Sequence, residues 1–95
     1  MQHVFEKVKN GETVTFNPKG NSMLPRIKSG QEVTVYPLND TSILEVGNVV
    51  LCKVRGRIFL HLISAIDKTK GFQISNNKGF VNGWTRDVCG IVKDL

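Results

Sequence analysis

Asn48-Val49-Val50-Leu51-Cys52-Lys53-Val54-Arg55-Gly56-Arg57-Ile58-Phe59-Leu60-His61-Leu62-Ile63-Ser64-Ala65-Ile66 is the stretch on which the fold turns. Asn48 to Val54 and Ile58 to Ile66 are rich in the β-branched and aromatic residues that fit a pleated surface. Between them lies Arg55-Gly56-Arg57, whose central glycine accepts the positive φ that tight hairpin turns demand. The stretch predicts a β-hairpin.

Working outward, period-2 patterning recurs on both sides. Glu12-Thr13-Val14-Thr15-Phe16 alternates polar and apolar, as a half-buried strand does. Asn17-Pro18-Lys19-Gly20-Asn21 breaks it with loop chemistry, and Met23 to Lys28 suits one short turn before Ser29-Gly30. Gln31 to Tyr36 alternates again, with Val33 and Val35 on one face, and Pro37 closes it. Asn39-Asp40-Thr41-Ser42 reads as a turn. Beyond the hairpin, Phe72 to Ser75 and Asp87 to Val92 read as strands, with Asn82-Gly83 as a turn signal between them. Met1 to Asn10 is polar and charged, and no long stretch has a helical apolar face. Many short strands and no repeat or linker predict one domain over residues 1–95, mainly β, built as a folded sheet or partly open barrel.

The 95 residues suffice for one hydrophobic core. No apolar run approaches the ~20 residues needed to span a bilayer, and no secretory leader stands at the N-terminus. The expectation is a soluble, cytoplasmic protein without a membrane anchor. Thirteen basic against eight acidic residues give a net charge of +5. The lysines are scattered, which suits a solubilising excess better than a nucleic-acid footprint. Cys52 and Cys89 form no Cys-x-x-Cys pair and have no histidine cluster beside them, so neither zinc nor another cofactor is expected.

Three features carry candidate chemistry. Ser22 sits in a loop bounded by glycine and proline, where a rigid sheet can fix the backbone while the hydroxyl stays open. Amides near it, from Asn21 through Met23, are candidates to hold an oxyanion. His61 shares a strand face with Phe59 and Ile63. It reads either as a core histidine or as a general base, since an ordinary imidazole is largely neutral at pH 7. The third is the asparagine-rich block from Ser75 to Trp84. There Asn76, Asn77 and Asn82 serve either as turn residues or as groups that orient an imidazole or bind a peptide.

At these residues the chain resembles a known family. Gly20 to Pro25 has the form G-x-S-M-x-P found around the nucleophile of signal peptidases, and LexA-like self-cleaving proteins share its Ser-Met core. Glu45 to Val50 resembles the family's x-x-G-D-V-V strand start, with Asn48 where aspartate is usual. Ser75-Asn76-Asn77 is similar to its G-D-N box, and Asn82-Gly83-Trp84 through Gly90-Ile91-Val92 to its closing segment. The likeness runs from about Glu12 to Val92 and extends to small phage- and prophage-encoded peptidases of this type. His61 falls where bacterial members carry a lysine base and where endoplasmic-reticulum and archaeal signal peptidases carry histidine.

The resemblance implies a signal-peptidase or LexA-like fold and a serine peptidase acting on a peptide or protein, with Ser22 as nucleophile and His61 as base. Two departures bear on activity: Ser75 and Asn82 stand where the family often has aspartate, and Gly20 replaces the hydroxyl residue that assists the oxyanion. An alternative follows, a catalytically inactive module of the same fold that binds a peptide or partner protein in phage–host regulation. A third reading, a nucleic-acid-binding β domain, rests on the charge with Arg55, Arg57 and Trp84.

Overall fold

A computed structural model describes residues 1–93 and 95. In chain order, α1 (Gln2–Lys9) and β1 (Val14–Phe16) precede β2 (Val33–Pro37), and a short 3-10 turn at Thr41–Ile43 leads into β3 (Val49–Val54). Then come β4 (Arg57–Asp67), β5 (Gly71–Ser75), β6 (Val81–Thr85) and β7 (Val88–Val92). The fold is mainly β, as expected: one antiparallel seven-stranded sheet in the order β1-β2-β7-β3-β4-β5-β6. Among the described residues no helix is long and apolar enough to cross a membrane.

The β3–β4 hairpin forms where the sequence predicted it. Val54 pairs with Arg57, which leaves the two-residue turn Arg55-Gly56, with φ of 51° and 81°. Positive φ at both positions is the signature of a type I′ turn, whose twist matches that of the flanking strands.

The near-continuous apolar run of β3 marks a strand covered on both sides. Val49 and Leu51 enter one core with Phe5, Val8, Met23, Ile27, Val35 and Leu60. Val50, Cys52 and Val54 enter the other, with Leu44, Ile63, Phe72 and Ile74. Fully burying each large aliphatic residue is worth about 1.5–3 kcal/mol. At Gly90 on β7 an added Cβ would lie 2.5 Å from Val35 and 2.7 Å from Val8, so β2 and α1 approach as closely as they do because that residue has no side chain.

Two expectations are corrected. The polar segment Met1 to Asn10 contains α1, whose Phe5 and Val8 are buried; docking onto the sheet stabilises a helix too short to persist alone. Asn82-Gly83 is not a turn but the middle of β6, because pairing with β5 overrides the local turn signal.

The sheet curls without closing. β6 returns toward β3, where Thr85 Oγ1 donates to the Lys53 carbonyl at 2.6 Å. This curl decides which side chains meet His61.

Candidate active site

Ser22 belongs to the long β1–β2 connection, which is pinned at its base and anchored at its middle. Asn17 Nδ2 donates to the Gly30 carbonyl at 3.0 Å, Gly30 N to the Pro18 carbonyl at 2.8 Å, and Gly20 N to Ser29 Oγ at 3.0 Å. Met23 and Ile27 point into the core at 5% and 3% exposure, and Ile27 N donates to the Met23 carbonyl, giving the single turn expected after Ser22. Ser22 itself is exposed.

Asn77 clamps this loop from the far side. Its amide N donates to the Ser22 carbonyl at 2.9 Å, and its Nδ2 to the Leu24 carbonyl at 2.7 Å. Its Oδ1 accepts from Arg26 Nε at 3.0 Å, and the same guanidinium reaches the Gly47 carbonyl at 3.3 Å. The carbonyls of Asn21, Ser22, Met23 and Leu24 are thus all engaged. Among the described residues the amides of Asn21, Ser22 and Met23 donate to nothing. A loop with its carbonyls occupied and its amides free presents partial positive charge, as an oxyanion needs.

His61 lies on β4 opposite Val50, 8% exposed, stacked on Phe59 with ring centroids 5.0 Å apart. Nε2 sits 3.1 Å from Ser22 Oγ, and Nδ1 sits 2.7 Å from Asn82 Oδ1. The amide oxygen can only accept, so Nδ1 carries the proton and Nε2 offers its lone pair to the serine hydroxyl. Burial holds His61 below its ordinary pKa, and the hydrogen bond to Asn82 acts in the opposite direction. The imidazole is therefore neutral at pH 7, the form a general base requires.

Asn82 reaches the ring by a bulge. Ile74 pairs with Gly83 but Ser75 with Val81, so Asn82 is the extra residue of β6 and has no partner across the ladder. Bulges re-aim side chains in this way. β5 ends with Ser75 opposite Leu62, one residue short of His61, and from beyond that end the Asn82 side chain reaches the ring.

The predicted residues therefore separate by role. Ser22, His61 and Asn82 form one hydrogen-bonded chain. Asn77 holds the serine loop, and Asn21 and Met23 contribute free amides. Asn76 stands apart: its Oδ1 accepts from the amides of Lys78 and Phe80 and shapes the β5–β6 loop. Sequence reading missed Arg26, whose role depends on contacts with Gly47 and Asn77 that no local pattern announces.

A small cavity of ≈ 80 Å³ adjoins the serine, walled by Met23, Ile27, Phe59 and Leu60, with Lys19 at its rim. The cysteines offer no rival nucleophile. Both are buried and free; burial pushes the Cys52 thiol up to about 12 and the Cys89 thiol to about 11, so neither is a thiolate at pH 7. No protein-family model and no curated protein sequence matches this chain.

Proposed function

We propose that this protein is a serine peptidase of the signal-peptidase and LexA-like type. The observation that supports this reading most is the chain Ser22 Oγ–His61 Nε2 at 3.1 Å and His61 Nδ1–Asn82 Oδ1 at 2.7 Å. In this mechanism Ser22 Oγ attacks a peptide carbonyl while Nε2 takes its proton. The free amides between Asn21 and Met23 stabilise the tetrahedral oxyanion. His61 returns the proton to the leaving amine, and the acyl-enzyme is then hydrolysed by a water that His61 deprotonates.

The substrate is an extended peptide. β5 pairs with β4 from Leu62 onward, so the backbone of β4 from Arg57 to His61 has an open edge on that side. A peptide added there would run past His61 toward the serine loop. A cavity of ≈ 80 Å³ is far below the size of a ligand pocket and suits one small aliphatic side chain.

The test is covalent labelling by a fluorophosphonate probe, read by intact mass. Wild type gains one phosphonyl adduct, and Ser22→Ala and His61→Ala lose it. Equal labelling of Ser22→Ala and wild type would remove Ser22 from the chemistry. An amide where a carboxylate is usual also favours a second reading, a peptide-binding module without turnover. Retained peptide binding with no adduct on any variant would select it.

A further inference from the structure

One face of β4 carries Arg57, Phe59 and His61 at successive alternate positions. The Arg57 guanidinium lies over the Phe59 ring, 5.9 Å from its centroid, and Phe59 in turn stacks on His61. Such a contact orients a cation without neutralising it. Among the described residues the Arg57 side chain has no hydrogen-bond or carboxylate partner; the one ion pair there joins Lys9 to Asp87. Lys19, also without such a partner among the described residues, rims the cavity beside Ser22 that Phe59 and His61 line. Two cations thus lie near the Ser22–His61 pair, Lys19 at the cavity itself and Arg57 beyond Phe59, on a chain with net charge +5.

We propose that Arg57 is a specificity-determining residue that receives an acidic side chain of the extended peptide, about four residues from the bond Ser22 attacks. The spacing follows from the strand: Arg57 is four residues from His61, and an extended substrate advances at about the same ~3.3 Å per residue. The guanidinium rests over Phe59, and its planar fork forms a bidentate carboxylate contact with less loss of rotamer freedom than a lysine would incur. Lys19 adds attraction at the cavity mouth without fixed geometry. The inference rests on the peptidase reading for the position of the bond, and on Arg57 alone for the preference.

The experiment uses internally quenched, alanine-based peptides in which a single glutamate, glutamine or lysine is walked along the chain on both sides of the cleavage point. With wild type, glutamate at the matching position raises kcat/KM about tenfold over glutamine, mostly through KM, as one charge-assisted pair supplies. Arg57→Gln abolishes that difference, and Arg57→Glu transfers the preference to lysine. The same peptides, fluorescein-labelled, are titrated onto Ser22→Ala and onto Ser22→Ala with Arg57→Gln, with melting curves confirming that each is folded. If no peptide is cleaved in a Ser22-dependent way, the peptidase reading fails, and the binding titrations still decide the inference. Equal handling of glutamate and glutamine peptides, or a glutamate preference that survives Arg57→Gln, overturns it.

Discussion

Asn82 Oδ1 lies 2.7 Å from His61 Nδ1, so the group behind the imidazole is a neutral amide. The amide fixes ring orientation and tautomer as a carboxylate would, but in the proposed mechanism it would stabilise less the imidazolium that forms when Ser22 gives up its proton. Orientation and charge are therefore separable at this residue. Asn82→Asp leaves the geometry and adds charge, which raises the His61 pKa and shifts the acid limb of the kcat/KM profile to higher pH, with a faster plateau. Asn82→Ala removes the acceptor and frees the ring, and the rate falls about 10²-fold or more. Rates of fluorophosphonate labelling across pH 5–9 measure both. An unmoved acid limb in Asn82→Asp would mean that residue 82 does not govern the base.

The depressed pKa of His61 has a consequence for stability. The folded protein binds its proton less readily than the unfolded chain, whose histidine titrates near ~6.5. Between the folded pKa and ~6.5 the unfolded state holds more protons, so stability rises with pH through that window. The contribution is complete above ~6.5 and is lost as pH falls through the folded value. Urea midpoints should therefore drop from pH 7.5 to pH 5 in wild type. In His61→Gln the drop should be smaller, and an identical slope in the two proteins would contradict the burial argument.

Asn77 touches neither His61 nor the Ser22 hydroxyl, yet it bonds to residues 22, 24 and 26 of the serine loop. Asn77→Ala keeps its backbone bond to Ser22 and loses the side-chain bonds to Leu24 and Arg26. The cost in stability is about 1–3 kcal/mol, since one bond is partly buried and the other joins a charged group. The loss of rate is larger in proportion, because a serine displaced by about 1 Å costs on the order of 10²-fold. Paired urea unfolding and probe-labelling rates separate the two effects. A rate loss no greater than the unfolded fraction explains would reduce Asn77 to a structural part.

The hairpin was legible because its signals are local: two β-rich runs and a glycine that accepts positive φ. The serine loop was legible as a loop for the same reason. Its contact with His61 was not, since that distance is set by the curl of the sheet. Asn82-Gly83 misled because, read locally, the pair signals a turn. Gly83 instead pairs with Ile74 and Val81 with Ser75, and the bulge turns Asn82 into the partner of His61. Arg26 left no signal, because a surface arginine looks alike whether solvated or clamped.

α1 was missed for a different physical reason. Val4, Phe5 and Val8 do share one helical face, but over only eight residues, most of the rest polar, that face is easily passed over as a charged terminal segment. The helix exists because Phe5 and Val8 fill the core at 2% and 1% exposure, with Lys53 lying 4.8 Å from the Phe5 ring centroid. Tertiary burial, not propensity, maintains it. Phe5→Ala should then cost about 3–5 kcal/mol, far more than its place in a polar terminal segment suggests. For a domain of this size that lowers Tm by roughly 15–30 °C. Lys7→Ala, on the exposed side of the same helix, should cost no more than about 0.5 kcal/mol. Thermal unfolding of the two variants beside wild type measures both. A Phe5→Ala loss below about 1 kcal/mol would show that the core closes without α1.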